Sequence, residues 1–201
     1  ISDLSTGALQ IVYSPGQNPI KDQAGNKAAG FTQMVVSDGY IRDAEVYADT
    51  NNNGISDQSE LINGLTTDAQ GQLLIDDEYR DYPIIIKGGI NVDTGAVNLL
   101  ELTAPAGYSV INPLSTLVQK IIASDDSQAV DQVEATIIQA LGITIAGDKG
   151  LSNYDPISDL SENAIVNRVA NIQIATIVAV AARADTQDDS GASNIQASAW
   201  S

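Results

Sequence analysis

The sequence contains no cysteine and no histidine. Without thiols there is neither a disulfide framework nor a thiolate nucleophile. Without imidazole the chain lacks the commonest general base and the commonest transition-metal ligand. Zinc, copper and haem chemistry therefore recede, while cations that prefer oxygen ligands stay open. Aromatic residues make up 4% of the chain, with Phe31 and Trp200 the only ones of their kinds. The core must be aliphatic, and there is little to stack against a sugar ring. Basic residues are also scarce: nine Lys and Arg stand against 26 Asp and Glu, for a net charge of −17. Such a surface repels phosphate backbones and anionic lipid, so nucleic acid and membrane-surface partners are set aside. The most apolar stretch, Ile172 to Ala182, is too short to span a bilayer, and no direct membrane insertion is expected. There is no G-x-S-x-G motif and no phosphate loop. Two carboxylates would suffice for glycoside hydrolysis, but no nucleophile with an adjacent base is recognisable. The expectation is a protein that is not an enzyme.

What is present is a hydrophobic content of 43%, enough to build a core and to exclude wholesale disorder. The chain opens at Ile1 without Met and reads as part of something longer. The first hundred residues carry strand patterns. Leu9, Ile11 and Tyr13 alternate with polar residues, and Phe31 to Val36 leads into Asp38-Gly39, a hairpin turn signal. A strand follows with Ala44, Val46 and Ala48 on one face. Thr66 to Gly71 reads as a turn before a strand at Leu73 to Ile75, and Ile84 to Ile86 is a short buried strand stopped by Gly88-Gly89. The second half turns helical. Asn112 can cap a helix with Pro113 at its first position, and Leu114, Leu117, Val118, Ile121 and Ile122 form one stripe. A second helix carries Val130, Val133, Ile137 and Leu141 and stops at Gly142; a third runs from near Ser161 to about Arg183. Its run from Ile172 to Ala182 is apolar on nearly every face and is expected to be buried. The reading is α+β: a β-sandwich-like N-terminal half (about 1–110) and a C-terminal half (about 111–184) of three helices. Together they form one ligand-binding domain, 1–184, followed by a polar tail, 185–201.

One motif carries specific chemistry. Asp49-Thr-Asn51-Asn-Asn53-Gly54-Ile55-Ser-Asp57-Gln-Ser-Glu60 matches the twelve-residue calcium loop of an EF-hand at every ligand position. Asp49, Asn51 and Asn53 are spaced by two, so a tight loop aims their oxygens at one centre. Gly54 allows the sharp turn, Ile55 offers its backbone carbonyl, Asp57 binds directly or through water, and Glu60 closes the site with both oxygens. Calcium is the cofactor this predicts. A strand precedes the loop, and Ser56 stands where paired hands place an aliphatic residue. A lone loop in a β context is therefore expected, either stapling the fold or taking part in function.

A second group lies further on. Asn91-Val-Asp93-Thr94-Gly95 sets oxygen donors at alternate spacing, flanked by Lys87. It reads either as a cation site with open positions or as a polar turn. Gly88-Gly89 either presents backbone N–H groups to an anion or merely stops a strand. Asp76-Asp77-Glu78 and Asp125-Asp126 read as solvated turns or helix starts, with accessory calcium sites the alternative. Asp155, Asp159 and Glu162 sit where carboxylates complement the dipole of the third helix.

The run Val36 to Tyr47, the Asp49–Gly54 loop, Thr66 to Gly71, Gly88 to Gly95, Leu102 to Gly107 and Asn112 to Leu117 together resemble the peptide-binding domain of large bacterial RTX adhesins. A weaker echo lies at Tyr154-Asp155-Pro156. The resemblance implies an extracellular, cell-surface module exported by type I secretion and folded in external calcium. It also implies a calcium-assisted site that captures the C-terminus of a protein or peptide on another cell, with neighbouring domains of the same long chain as further partners. Lys87, Gly88, Gly89, Asn91, Asp93 and Thr94 are the candidates for that ligand site. The alternative is a spacer domain that calcium only rigidifies. Three helices, which a repetitive all-β spacer does not need, favour binding.

Overall fold

A computed structural model describes residues 12–13, 21, 30–125, 127–145 and 149–188. The expected strand residues Leu9 and Ile11, Asp126, and the tail from residue 189 lie outside the described residues. The α+β class is as expected, with sheets in the first half and three helices in the second.

The described strands form three sheets. In the first sheet β2 (Phe31–Val36) is central. It pairs antiparallel with β1 (Val12–Tyr13) and β6 (Gln72–Asp76), and parallel with β10 (Val110–Ile111). Its burial alternates along the strand, Thr32, Met34 and Val36 pointing inward, as a strand with one solvated face requires. In the second sheet β4 (Glu45–Ala48) lies between β5 (Leu61–Thr66) and β7 (Ile84–Lys87), and β7 continues to β9 (Leu102–Ala104), all antiparallel. Ala44, Val46 and Ala48 are buried, but so is Tyr47, because both faces of β4 are covered. The third sheet is the short pair β3 (Ile41–Arg42) and β8 (Ile90–Asn91).

This arrangement corrects the expected hairpin at Asp38-Gly39. The chain does turn there, with Gly39 at φ +79° and Tyr40 at φ +44°. The flanking strands then diverge into different sheets, because β2 is held by β6 and β10 while β3 is held by β8. A strand at 61–66 was not anticipated either: its burial pattern is mostly open, so no apolar alternation marks it.

Helix α1 (Pro113–Ser124) follows the sequence signals closely. The Asn112 side chain accepts from the Ser115 N–H at 2.9 Å, the Ser115 hydroxyl accepts from the Asn112 N–H at 2.9 Å, and Pro113 fills the first turn. Helix α2 (Val130–Leu141) ends at Gly142 in the left-handed conformation. The core is continuous: Val46, Ile84, Ile86 and Leu102 from the second sheet meet Leu114 and Val118 of α1, with Val133 and Ile137 of α2 behind. The Ser115 and Thr116 hydroxyls both donate to the Thr103 carbonyl, at 2.8 and 3.2 Å, which locks α1 onto β9.

Helix α3 (Ala164–Asp188) departs from expectation twice. It continues through Asp185, so the first residues of the polar tail are helical. It is also not buried all round. Ala170 and Ile174 face the core, but Ile165, Val166, Ile172, Ile177 and Val180 are exposed. One stripe packs on α1, and no described element covers the rest. Among the described residues no helix is long and apolar enough to cross a membrane.

Candidate functional site

Residues 49–60 join β4 to β5, two antiparallel neighbours, so a strand enters the loop and a short 3-10 turn (Gln58–Glu60) and a strand leave it. No helix flanks it. Asp49 is 1% exposed and Glu60 7%, unusual for carboxylates without a basic partner. The Asp49 oxygens accept from the N–H groups of Asn53 (3.0 Å) and Gly54 (2.9 Å). Asn51 Oδ1 accepts from the Asn53 N–H at 2.9 Å and Asn53 Oδ1 from the Ile55 N–H at 2.8 Å, so each side chain at alternate spacing tightens the next turn. Glu60 reaches back across the loop. Its Oε1 accepts from the Thr50 N–H (2.8 Å), the Thr50 hydroxyl (2.9 Å) and the Asn51 N–H (3.1 Å). Its Oε2 is buried with no hydrogen-bond partner among the described residues. A buried carboxylate oxygen left so is costly, and it sits where a closing ligand of a calcium loop belongs.

The other carboxylate of the loop is engaged differently. Asp57 Oδ2 accepts from the side-chain amides of Asn51 (3.2 Å) and Asn53 (3.0 Å). Among the described residues no group of three or more carboxylates could hold a metal ion as they stand. The donor set of the loop is instead mixed: carboxylates, amides and the Ile55 carbonyl. All are hard oxygens, a composition that suits calcium and not the softer metals.

The fold separates the second group of expected residues. Lys87, at the end of β7, turns toward the 49–60 loop. Its ammonium donates to the Ser56 hydroxyl at 2.9 Å and pairs with Glu101 at 3.1 Å, while the Ser56 hydroxyl donates to Glu101 at 2.8 Å. Gly89 has a packing reason: a Cβ there would fall 2.7 Å from the Arg42 carbonyl oxygen and 2.7 Å from the Ile41 side chain. Its backbone presses on β3. Gly88 is open to space, and its carbonyl accepts from Asn98 Nδ2 at 2.9 Å.

Asn91 organises the turn that follows. Its Oδ1 accepts from the N–H groups of Asp93 and Thr94, each at 3.0 Å, and its Nδ2 donates to the Asp38 carbonyl at 2.5 Å. The side chain of Asn91 is thus committed to shaping the turn. Gly39 must be glycine for this clasp, since a Cβ would lie 2.2 Å from Asn91 Nδ2. Asn91 and Thr94 line a cleft of about 400 Å³ together with Asp38, Ile41, Val97, Leu99, Leu100 and Ala179. Asp93, Lys87, Gly88 and Gly89 do not line it.

Asp38 is the residue that sequence reading missed. It looked like half of a turn dipeptide, and nothing in the sequence joins it to a turn 53 residues away. Burial pushes its carboxyl above the ordinary value of 3.8. A further cleft of about 450 Å³ lies across the turn, where the Tyr40 hydroxyl donates to the buried Asp155 at 2.8 Å beside Val92 and Gln72. Burial, and next the neighbouring Asp155 charge, push the Tyr40 phenol up. Asp155 also accepts from the Ile157 N–H at 2.9 Å, so it ties the third helix's approach to the β half rather than complementing a helix dipole.

Comparison with protein-family profiles, with curated proteins and with solved structures yields no match.

Proposed function

We propose that this domain is a calcium-stabilised extracellular binding module that captures the C-terminal carboxylate of a peptide or protein on another cell surface. The observation that carries it is the position of the Asp38 carboxylate. It shares a cleft with the Asn91–Thr94 turn, is partly buried, and has no hydrogen-bond or ion-pair partner among the described residues. At a net charge of −17, a carboxylate ligand needs a local positive centre, which a bound divalent cation supplies. The residues of that cleft suited to hold it are Asp38 and the hydroxyl or carbonyl of Thr94. Asn91 positions the turn and Gly39 allows its approach. The loop Asp49–Glu60 is the second, structural calcium site of the reading. Its ligands are Asp49, Asn51, Asn53, the Ile55 carbonyl, Asp57 and Glu60, and the orphaned Glu60 Oε2 is what supports it. The resemblance to the adhesin module supplies the extracellular setting.

The test is a titration of a free-carboxylate peptide and its C-terminal amide into the domain in calcium. Preference for the acid, lost on Asp38→Asn, is the expected result. Equal affinity for both peptides would refute carboxylate capture. The reading as a calcium-rigidified spacer is favoured by one feature, the uncovered side of α3 at Ile165, Val166 and Ile177, which suits a neighbouring domain of the same chain.

A further inference from the structure

We infer that the ligand's last few residues include a bulky apolar side chain, seated in a groove between the 97–100 segment and helix α3. The inference rests on the carboxylate-capture reading. Two clefts meet at Asp38. One, of about 400 Å³, runs from Asn91 and Thr94 past Val97, Leu99 and Leu100 to Ala179. The other, of about 370 Å³, runs along Ile172, Ala175, Thr176, Ala179 and Val180. Asp38 and Ala179 line both, so the clefts adjoin at these two residues. Apart from Asp38, neither carries a charged side chain.

The walls are apolar and open. Val97 is 65% exposed, Leu99 80%, Ile172 61% and Val180 64%. Single exposed aliphatics need no explanation, but four of them on the walls of one groove mark a recognition surface. The geometry orders the ligand. Its carboxylate belongs beside Asp38 and the Asn91–Thr94 turn, where the polar side chains of the first cleft gather. The chain preceding the carboxylate then runs between Leu99 and α3, where Asp38 is the one charged lining group. Away from Asp38 a charged residue would lose water without gaining a partner, whereas an aliphatic or aromatic one covers Val97, Leu99, Ile172 and Val180. A second copy of this chain is a poorer occupant, because two surfaces of net charge −17 would be brought together around an unpaired Asp38.

The experiment is fluorescence anisotropy in saturating calcium. It uses dye-labelled peptides with free carboxylates, in which Leu, Phe or Ser is placed in turn at each of the residues preceding the last. At one or two positions the Leu or Phe peptide should bind at least about 10-fold tighter than the Ser peptide, the usual discrimination of an apolar pocket. Leu99→Ser and Ile172→Ser, both at exposed positions, should erase that difference without lowering the melting temperature. Equal affinities across the series, or discrimination that survives in both variants, would overturn the inference while leaving carboxylate capture intact. Discrimination retained by the C-terminal amides would support the groove and overturn carboxylate capture. No saturable binding by any peptide of the series overturns both.

Discussion

Glu60→Gln separates the two roles the structure gives this side chain. One oxygen, Oε1, holds the loop closed through three donors from Thr50 and Asn51. The other, Oε2, is buried and unpartnered. Glutamine keeps an acceptor for the three donors and replaces the orphan oxygen by an amide, so it removes only the charge and the oxygen proposed as a calcium ligand. In excess chelator the variant should melt at or slightly above the wild-type temperature, because a buried charge has been removed. Calcium should then reveal the difference. Extracellular modules bind with dissociation constants of about 10⁻⁴ to 10⁻³ M. At about 10 mM free calcium the wild type gains roughly 1.4 to 2.7 kcal/mol by mass action. For a domain of this size each kcal/mol moves the midpoint by about 2–4 °C, so calcium should raise the wild-type melt by roughly 3–11 °C. Glu60→Gln should lose most of that rise. Differential scanning calorimetry in chelator and in calcium measures both numbers. A variant that keeps the full calcium-dependent rise, or a wild type that shows none, would refute the assignment of Glu60 as a ligand.

Three further outcomes follow from the fold. Leu114→Ala empties a fully buried position at the junction of α1 and the second sheet and should cost about 2–5 kcal/mol in urea unfolding. Asn112→Ala removes the acceptor of the Ser115 N–H from a buried capping box and should cost about 1–2 kcal/mol by the same assay. Asp125 is held below its ordinary value of 3.8, first by the Ser127 hydroxyl, then by the Gln128 amide and the Ser127 N–H. Its charged form is favoured in the fold, so its contribution is present above pH 3.8 and is lost as pH falls below that value. Melting temperatures across that window should show Asp125→Asn less stable than the wild type at neutral pH, with the gap closing in acid.

Much of this was legible in the sequence where a local rule decides. Asn112-Pro113 and Gly142 mark helix ends because capping is settled within a few residues. The 49–60 loop was legible as a unit because its turns are built from its own side chains. What was not legible depends on partners far along the chain. The sequence cannot say that β2 pairs with β10 in parallel, so Asp38-Gly39 reads as a hairpin. Nor can it say that Lys87 leaves the 91–94 turn for Ser56 and Glu101, or that Asp38 joins it. The apolar run of α3 misled for a related reason: periodicity reports how much of a helix could be covered, and here only the Ala170–Ile174 side is.

The most direct test of the central claim is a crystal structure of the domain grown in calcium, with the ion identified by its anomalous signal. A peak is expected inside the 49–60 loop, at about 2.3–2.6 Å from oxygens of Asp49, Asn51, Asn53, Ile55 and Glu60, with Asp57 released from the two asparagine amides it now accepts from. A loop without such a peak, its Asp57 still bonded to Asn51 and Asn53 and Glu60 Oε2 still without a partner, would contradict the account.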